Sequence, residues 1–120
     1  NGLLDVAKVI QRDMLTEPLA PRGKTPFCDR PIEYLSSGQY VCGTGDSFVN
    51  AHDPWLHQQG VHLVDMELFA IAAVAYQHGI PWQSFKYVTD SANESSDLDW
   101  QEKVNHGEDL FIEILKQLLS

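Results

Sequence analysis

Leu63-Val64-Asp65-Met66-Glu67, followed by Leu68-Phe69-Ala70-Ile71-Ala72-Ala73-Val74-Ala75-Tyr76, then Gly79-Ile80-Pro81 and Ser84-Phe85-Lys86-Tyr87-Val88-Thr89-Asp90, is the stretch around which the chain is read. A short apolar lead-in, an alanine-rich run and a second β-type run predict strand, helix, strand. Gly79 suits a helix C-cap, and Pro81 prevents continuation. Glu67 opens the helix as the first strand stops. Asp90 stands where the second strand runs out into a Ser/Asn/Glu loop, so both carboxylates are expected at one edge of the sheet. Ligands of open α/β sheets bind beyond the carboxyl ends of the strands, which makes Glu67 and Asp90 a candidate site. The alternative is that they are an ordinary helix starter and a loop residue, positions acidic side chains favour anyway.

The bulk properties narrow the function. A length of 120 residues allows one modest core and one domain. Eight basic against seventeen acidic residues, a formal charge of -9, argue against nucleic acid or an anionic membrane surface as partner. A neutral or locally cationic small molecule fits better. Two cysteines, Cys28 and Cys42, are too few for a disulfide scaffold; both lie beside apolar residues and are expected to fill space as reduced thiols. A cytoplasmic location is the default expectation. No window is long and apolar enough to span a bilayer, and no targeting signal is visible. The chain begins at Asn1, directly ahead of an apolar run, which suggests a fragment or a processed chain.

Taken in order, Leu4 to Gln11 is read as an edge-proximal strand leading into the polar turn Arg12-Asp13. From Thr16 to Ser37, prolines 18, 21, 26 and 31 with Gly23 forbid a long helix and predict an extended loop. Gln39-Tyr40-Val41-Cys42 is a short β-type run ending in Gly43-Thr44-Gly45-Asp46-Ser47-Phe48-Val49-Asn50. The glycines permit a tight turn and close approach of a flat ligand, although they lack the rest of a dinucleotide fingerprint. Phe48 is either a core plug or a stacking platform for an aromatic ligand, and the sequence favours the plug. His52, His57 and His62 recur around Asp53, but their spacing does not share a helix face and Pro54 interrupts the segment; surface or loop histidines are the better account than a metal site. The helix Glu67 to His78 is apolar nearly all round and is expected to be buried on most sides, between layers or at a subunit contact. Asp97 or Asp99 is expected to cap a last helix, Trp100 to Leu119, weakened in its middle by Gly107.

Four blocks together resemble the nucleoside phosphorylase and nucleosidase superfamily, most closely its 5′-methylthioadenosine/S-adenosylhomocysteine nucleosidase branch. Gln11-Arg12-Asp13-Met14 with the following Pro-rich loop resembles the segment after a central strand, and Gly45-Asp46-Ser47-Phe48-Val49-Asn50 the base-binding loop. Val64-Asp65-Met66-Glu67 resembles the ribose-binding strand-to-helix junction, and Val88-Thr89-Asp90-Ser91-Ala92-Asn93 the catalytic-acid loop. The resemblance covers nearly the whole chain but only the C-terminal half of a typical member. It implies a three-layer αβα phosphorylase-like fold with a mainly parallel central sheet, of which residues 1–120 form the C-terminal part.

The resemblance also implies roles. Asp90 is the general acid at N7 of adenine; Glu67 accepts hydrogen bonds from the ribose hydroxyls. Met66 packs beneath the ribose, Phe48 stacks on the purine, the backbone of Val49 reads the base edge, and Asp65 shares the sugar pocket. The implied reaction is hydrolysis of an adenine nucleoside such as 5′-methylthioadenosine or S-adenosylhomocysteine. The partner implied is a small-molecule nucleoside, with no metal or organic cofactor, no nucleic acid and no membrane, in a homodimer or higher oligomer. Leu68 and Phe69 depart from the small residues usual after the ribose glutamate, and the water-activating residue is expected outside this chain. Competing expectations are a purine nucleoside phosphorylase, with phosphate as acceptor, and a nucleoside-binding or storage protein without turnover.

Overall fold

The computed structural model describes residues 3–49, 51–88 and 107–119. Strand β1 (Leu4–Gln11) is the longest, and the remaining strands are β2 (Glu33–Leu35), β3 (Tyr40–Thr44), β4 (Leu63–Asp65) and β5 (Phe85–Lys86). Among the described residues the helices are α1 (Pro54–Gln58), α2 (Leu68–Gln77) and α3 (Glu108–Leu119). The sheet is mixed, in the order β2-β1-β3-β4, with β5 pairing the first residues of β1. β3 runs parallel to both β1 and β4, whereas β2 and β5 run antiparallel to β1.

β1 is therefore interior but edge-proximal, as expected, one strand in from β2. Val9 is paired with Tyr34 on one side and Cys42 on the other. The strand that covers it, β2, lies inside the segment read as loop from Thr16 to Ser37. Three residues after a proline carry too short an alternation to register as a strand, and only pairing with β1 makes them one. Val6 and Val9 are both buried in one core cluster although an odd spacing puts strand residues on opposite faces. The register shift between Val6 and Lys8 inserts the extra residue that brings them to the same side.

α2 covers this face. Its Leu68, Phe69 and Ala72 join Val6, Val9, Tyr34, Cys42 and Leu63 in the core, and Tyr34 packs between Phe69 and Tyr76, with ring centroids 5.0 and 5.3 Å away. Within one chain α2 is covered on one side only, with Ile71 59% and Val74 56% exposed, so of the two settings expected for it the described residues do not supply burial between layers. Its boundaries hold, with Glu67 and His78 as the flanking cap residues, and Gly79 follows at φ 64°.

β4, α2 and β5 do not form a parallel strand-helix-strand unit. Residues 78–84 carry the chain from α2 to the start of β1, where Phe85 pairs antiparallel with Asp5. The last helix is described from Glu108; Gly107 stands at its start and not its middle, against the Tyr87 ring. Trp100, Asp97 and Asp99 lie outside the described residues. Pro54 opens α1 instead of interrupting the segment, with Asp53 as N-cap accepting from the Trp55 N–H. Of the two thiols, Cys42 is buried as expected, but Cys28 is exposed. Among the described residues no helix is long and apolar enough to cross a membrane.

Candidate active site

The carboxyl ends of β1, β3 and β4 come together because the three strands are parallel, and one side chain joins them. Arg12 is only 5% exposed. Its Nε donates to the Gly43 carbonyl (3.2 Å), and Nη2 donates to the carbonyls of Ser47 (2.5 Å) and Asp65 (3.2 Å). A buried guanidinium is tolerated where its N–H groups find acceptors, and the carbonyls at the strand ends supply them. The loop after β3 is thereby pulled against the turn after β4. The Gly45 N–H donates to the Asp65 carbonyl (3.1 Å), and the Asp46 N–H to the Asp13 carboxylate (2.7 Å). A Cβ on Gly45 would stand 2.7 Å from the Arg12 guanidinium carbon, so this crossing requires glycine.

Asp65 lies on the interior side of this junction. Its Oδ1 accepts from the Thr44 hydroxyl (2.6 Å) and the Cys42 thiol (3.4 Å). Its Oδ2 accepts from the Leu68 N–H (2.8 Å), the Glu67 N–H (3.4 Å) and Lys86 Nζ (2.9 Å). Thr44 in turn accepts from the Phe69 N–H (3.0 Å). The opening N–H groups of α2, which have no partner within the helix, are thus met by side chains of β3 and β4. Burial pushes the Asp65 carboxyl up, but Thr44, Lys86 and the Leu68 N–H outweigh it and hold the group below the ordinary carboxylate range. The Cys42 thiol is driven far up by burial and by the neighbouring Asp65 charge, so it stays a protonated donor. Asp65, expected to share the sugar pocket, has five donors on a side chain only 8% exposed, so its carboxylate is engaged by the fold.

Phe48, Met66 and Glu67 face the other way. Phe48 is 48% and Met66 40% exposed, and Glu67 is exposed as well. Phe48 is not a core plug, since Arg12 and Asp13 hold the loop's backbone at the surface and leave the ring outside. Val49 is half-buried beside it. Asp90 lies outside the described residues. The three histidines are separate: His57 sits in α1, while His62 meets the Tyr40 ring edge-on and accepts the Val41 N–H at Nδ1 (3.0 Å). Among the described residues no group of three or more His, Cys, Asp and Glu is arranged to hold a metal ion.

Sequence reasoning missed Arg12 and Thr44 as organisers, along with Arg22, whose forked contact to Asp53 adjoins the site (below). The only signal available was an arginine directly after an apolar strand, which is common in any polar turn.

A family model described as Phosphorylase superfamily matches residues 9–120. The chain belongs to the phosphorylase superfamily. A curated relative, the 5′-methylthioadenosine/S-adenosylhomocysteine nucleosidase of Exiguobacterium sp., is 40% identical over 63 residues, 49% of this chain and 27% of the relative. The fold is also that of the Helicobacter pylori 5′-methylthioadenosine/S-adenosylhomocysteine nucleosidase solved with butyl-thio-DADMe-Immucillin-A, at a TM-score of 0.87 and 20% identity over 98% of this chain and 60% of that one. The native futalosine hydrolase of Helicobacter pylori matches at a TM-score of 0.87 and 18% identity, over 98% of this chain and 59% of that one. This phosphorylase-superfamily chain therefore has the α/β fold expected of it and spans about 60% of the length of these solved relatives.

Proposed function

We propose that the protein carrying this chain is a nucleosidase that hydrolyses the N-glycosidic bond of adenine nucleosides, with 5′-methylthioadenosine and S-adenosylhomocysteine as its first candidate substrates. The observation that carries this reading is the exposed set Phe48, Met66 and Glu67, presented past the ends of two parallel strands on loops that one buried arginine ties together. The nucleosidase activity by which the curated relative is named supports the choice of adenine nucleosides.

In this reading the Phe48 ring stacks on the purine, and the main chain of Val49 reads its edge. Met66 packs its thioether beneath the ribose. Glu67 accepts hydrogen bonds from the ribose hydroxyls and stabilises the positive charge that develops on the sugar as the C–N bond breaks. Asp90 protonates N7, so that adenine leaves neutral. Asp65 holds the turn that presents Met66 and Glu67, and touches no substrate. Activation of the attacking water is assigned to the remainder of the protein, since the chain spans about 60% of its solved relatives. The exposed apolar side of α2 fits a homodimer or higher oligomer.

The futalosine hydrolase likeness, equal in TM-score, favours testing futalosine as a further candidate substrate. Adenine or other base release is followed for 5′-methylthioadenosine, S-adenosylhomocysteine and futalosine, with and without phosphate, on wild type and Asp90→Asn. The expected result is phosphate-independent release of free base and pentose, lost by orders of magnitude in D90N while nucleoside affinity survives. Phosphate-dependent formation of ribose 1-phosphate would make the protein a phosphorylase. Binding without turnover by the wild type would make it a nucleoside-binding protein.

A further inference from the structure

The segment around α1 has no part in the proposed chemistry, yet it grips the site from behind through Arg22. Arg22 Nε and Nη2 both donate to the main-chain carbonyl of Arg12, at 2.9 and 2.6 Å. Nη1 and Nη2 fork onto the Asp53 carboxylate at 3.2 and 2.6 Å, and the guanidinium carbon lies 4.2 Å from the centroid of the Trp55 ring. Asp53 is at the same time the N-cap of α1, accepting the Trp55 N–H at 3.1 Å. One planar cation thus satisfies a carbonyl, a carboxylate and an aromatic face together, a combination an ammonium group cannot reproduce.

The residue whose carbonyl Arg22 holds is the one whose side chain ties the carbonyls of Ser47 and Asp65. Phe48 follows Ser47 directly, and Glu67 lies two residues past Asp65. We infer that Arg22 is a positioning residue of the candidate site, clasping the link between β1 and β2 onto α1 and fixing Arg12 so that the Phe48 loop and the Glu67 turn keep a common geometry. The consequence for substrate affinity rests on the nucleosidase reading; the coupling between the clasp and the two loops does not. Asp53 is held below the ordinary carboxylate range chiefly by its hydrogen bond from Arg22.

The test compares the full-length wild-type protein with Arg22→Ala and Arg22→Lys by amide hydrogen exchange and by steady-state kinetics with 5′-methylthioadenosine. Both variants are expected to exchange faster at Gly45, Asp46 and Leu68, whose N–H groups bond the Asp65 carbonyl, Asp13 and the Asp65 carboxylate, with Val9 and Cys42 unchanged. KM is expected to rise about tenfold with kcat within about threefold, because the positioned groups bind base and sugar. Exchange altered only within residues 16–25 and 53–58, with KM unchanged, would reduce Arg22 to a local stabiliser and overturn the proposal. Faster exchange at Gly45 and Asp46 with an unchanged KM overturns it as well. If the wild type releases no adenine while the two loops still respond, the positioning inference stands and the nucleosidase reading falls. Should R22A not fold, Asp53→Asn, which keeps the cap and one acceptor for Arg22, is to give the same exchange pattern at smaller amplitude; its absence overturns the proposal.

Discussion

The interior network around Asp65 and the exposed rim of Phe48, Met66 and Glu67 are neighbours in the chain and opposites in their chemistry. Asp65 and Glu67 are both carboxylates at one strand-to-helix turn. One takes five donors and is sealed against the sheet; the other is exposed, and among the described residues its contacts are those of its main chain in starting α2. A carboxylate spent on capping a helix and neutralising Lys86 has no lone pairs left for a ligand, whereas an exposed one has all of them. The junction separates support from presentation within two residues.

The sharpest way to break this contrast is to remove Asp65. Asp65→Ala leaves the Lys86 ammonium, the Thr44 hydroxyl and the first N–H groups of α2 without their acceptor. A loss of about 3–5 kcal/mol is expected in chemical denaturation, typical of breaking one side of a buried charged pair. Glu67→Ala is the counterpart. In the nucleosidase reading it lowers kcat/KM about a hundredfold, read by adenine release, while the denaturation midpoint stays that of wild type. If the two substitutions exchange these signatures, the division of labour is wrong.

Smaller effects sharpen the picture. Thr44→Val removes the donor to Asp65 and the acceptor for the Phe69 N–H, and is expected to cost about 1–2 kcal/mol of stability. Phe48→Ala is expected to raise KM about tenfold with little change in the denaturation midpoint, since the ring is half exposed and stands outside the core cluster. The smallest effect is in pH. Because the folded carboxyl of Asp65 lies below its unfolded value, its contribution is present above about pH 4 and is lost as pH falls through the folded value. The stability gap between wild type and Asp65→Asn is therefore expected to be widest at neutral pH and to narrow in acid, measured by urea denaturation across the range.

Much of the frame was legible from residue order. The bounds of β1, the apolar run that becomes α2 with its Gly79 terminus, and the β3 run into the Gly45 loop all follow from local periodicity and breakers. The family resemblance, now matched over residues 9–120, came from short blocks in the right order. What local pattern misjudged or left open has a common cause. β2 is a strand only because β1 offers it a partner, and α2 is sheltered on one side only because the sheet has one face to give it.

By itself, then, the sequence determined which residues stand at the loop after β3 and at the turn after β4, because tight turns, helix starts and strand lengths are written in neighbours a few positions apart. Which of those residues face inward was decided only by tertiary structure. Arg12 reaches partners 31, 35 and 53 positions away, and Asp65 is turned inward by Thr44 and Lys86, each 21 positions distant. A polar side chain is committed or free according to the donors and acceptors that folding brings around it, and no spacing along the chain encodes that count.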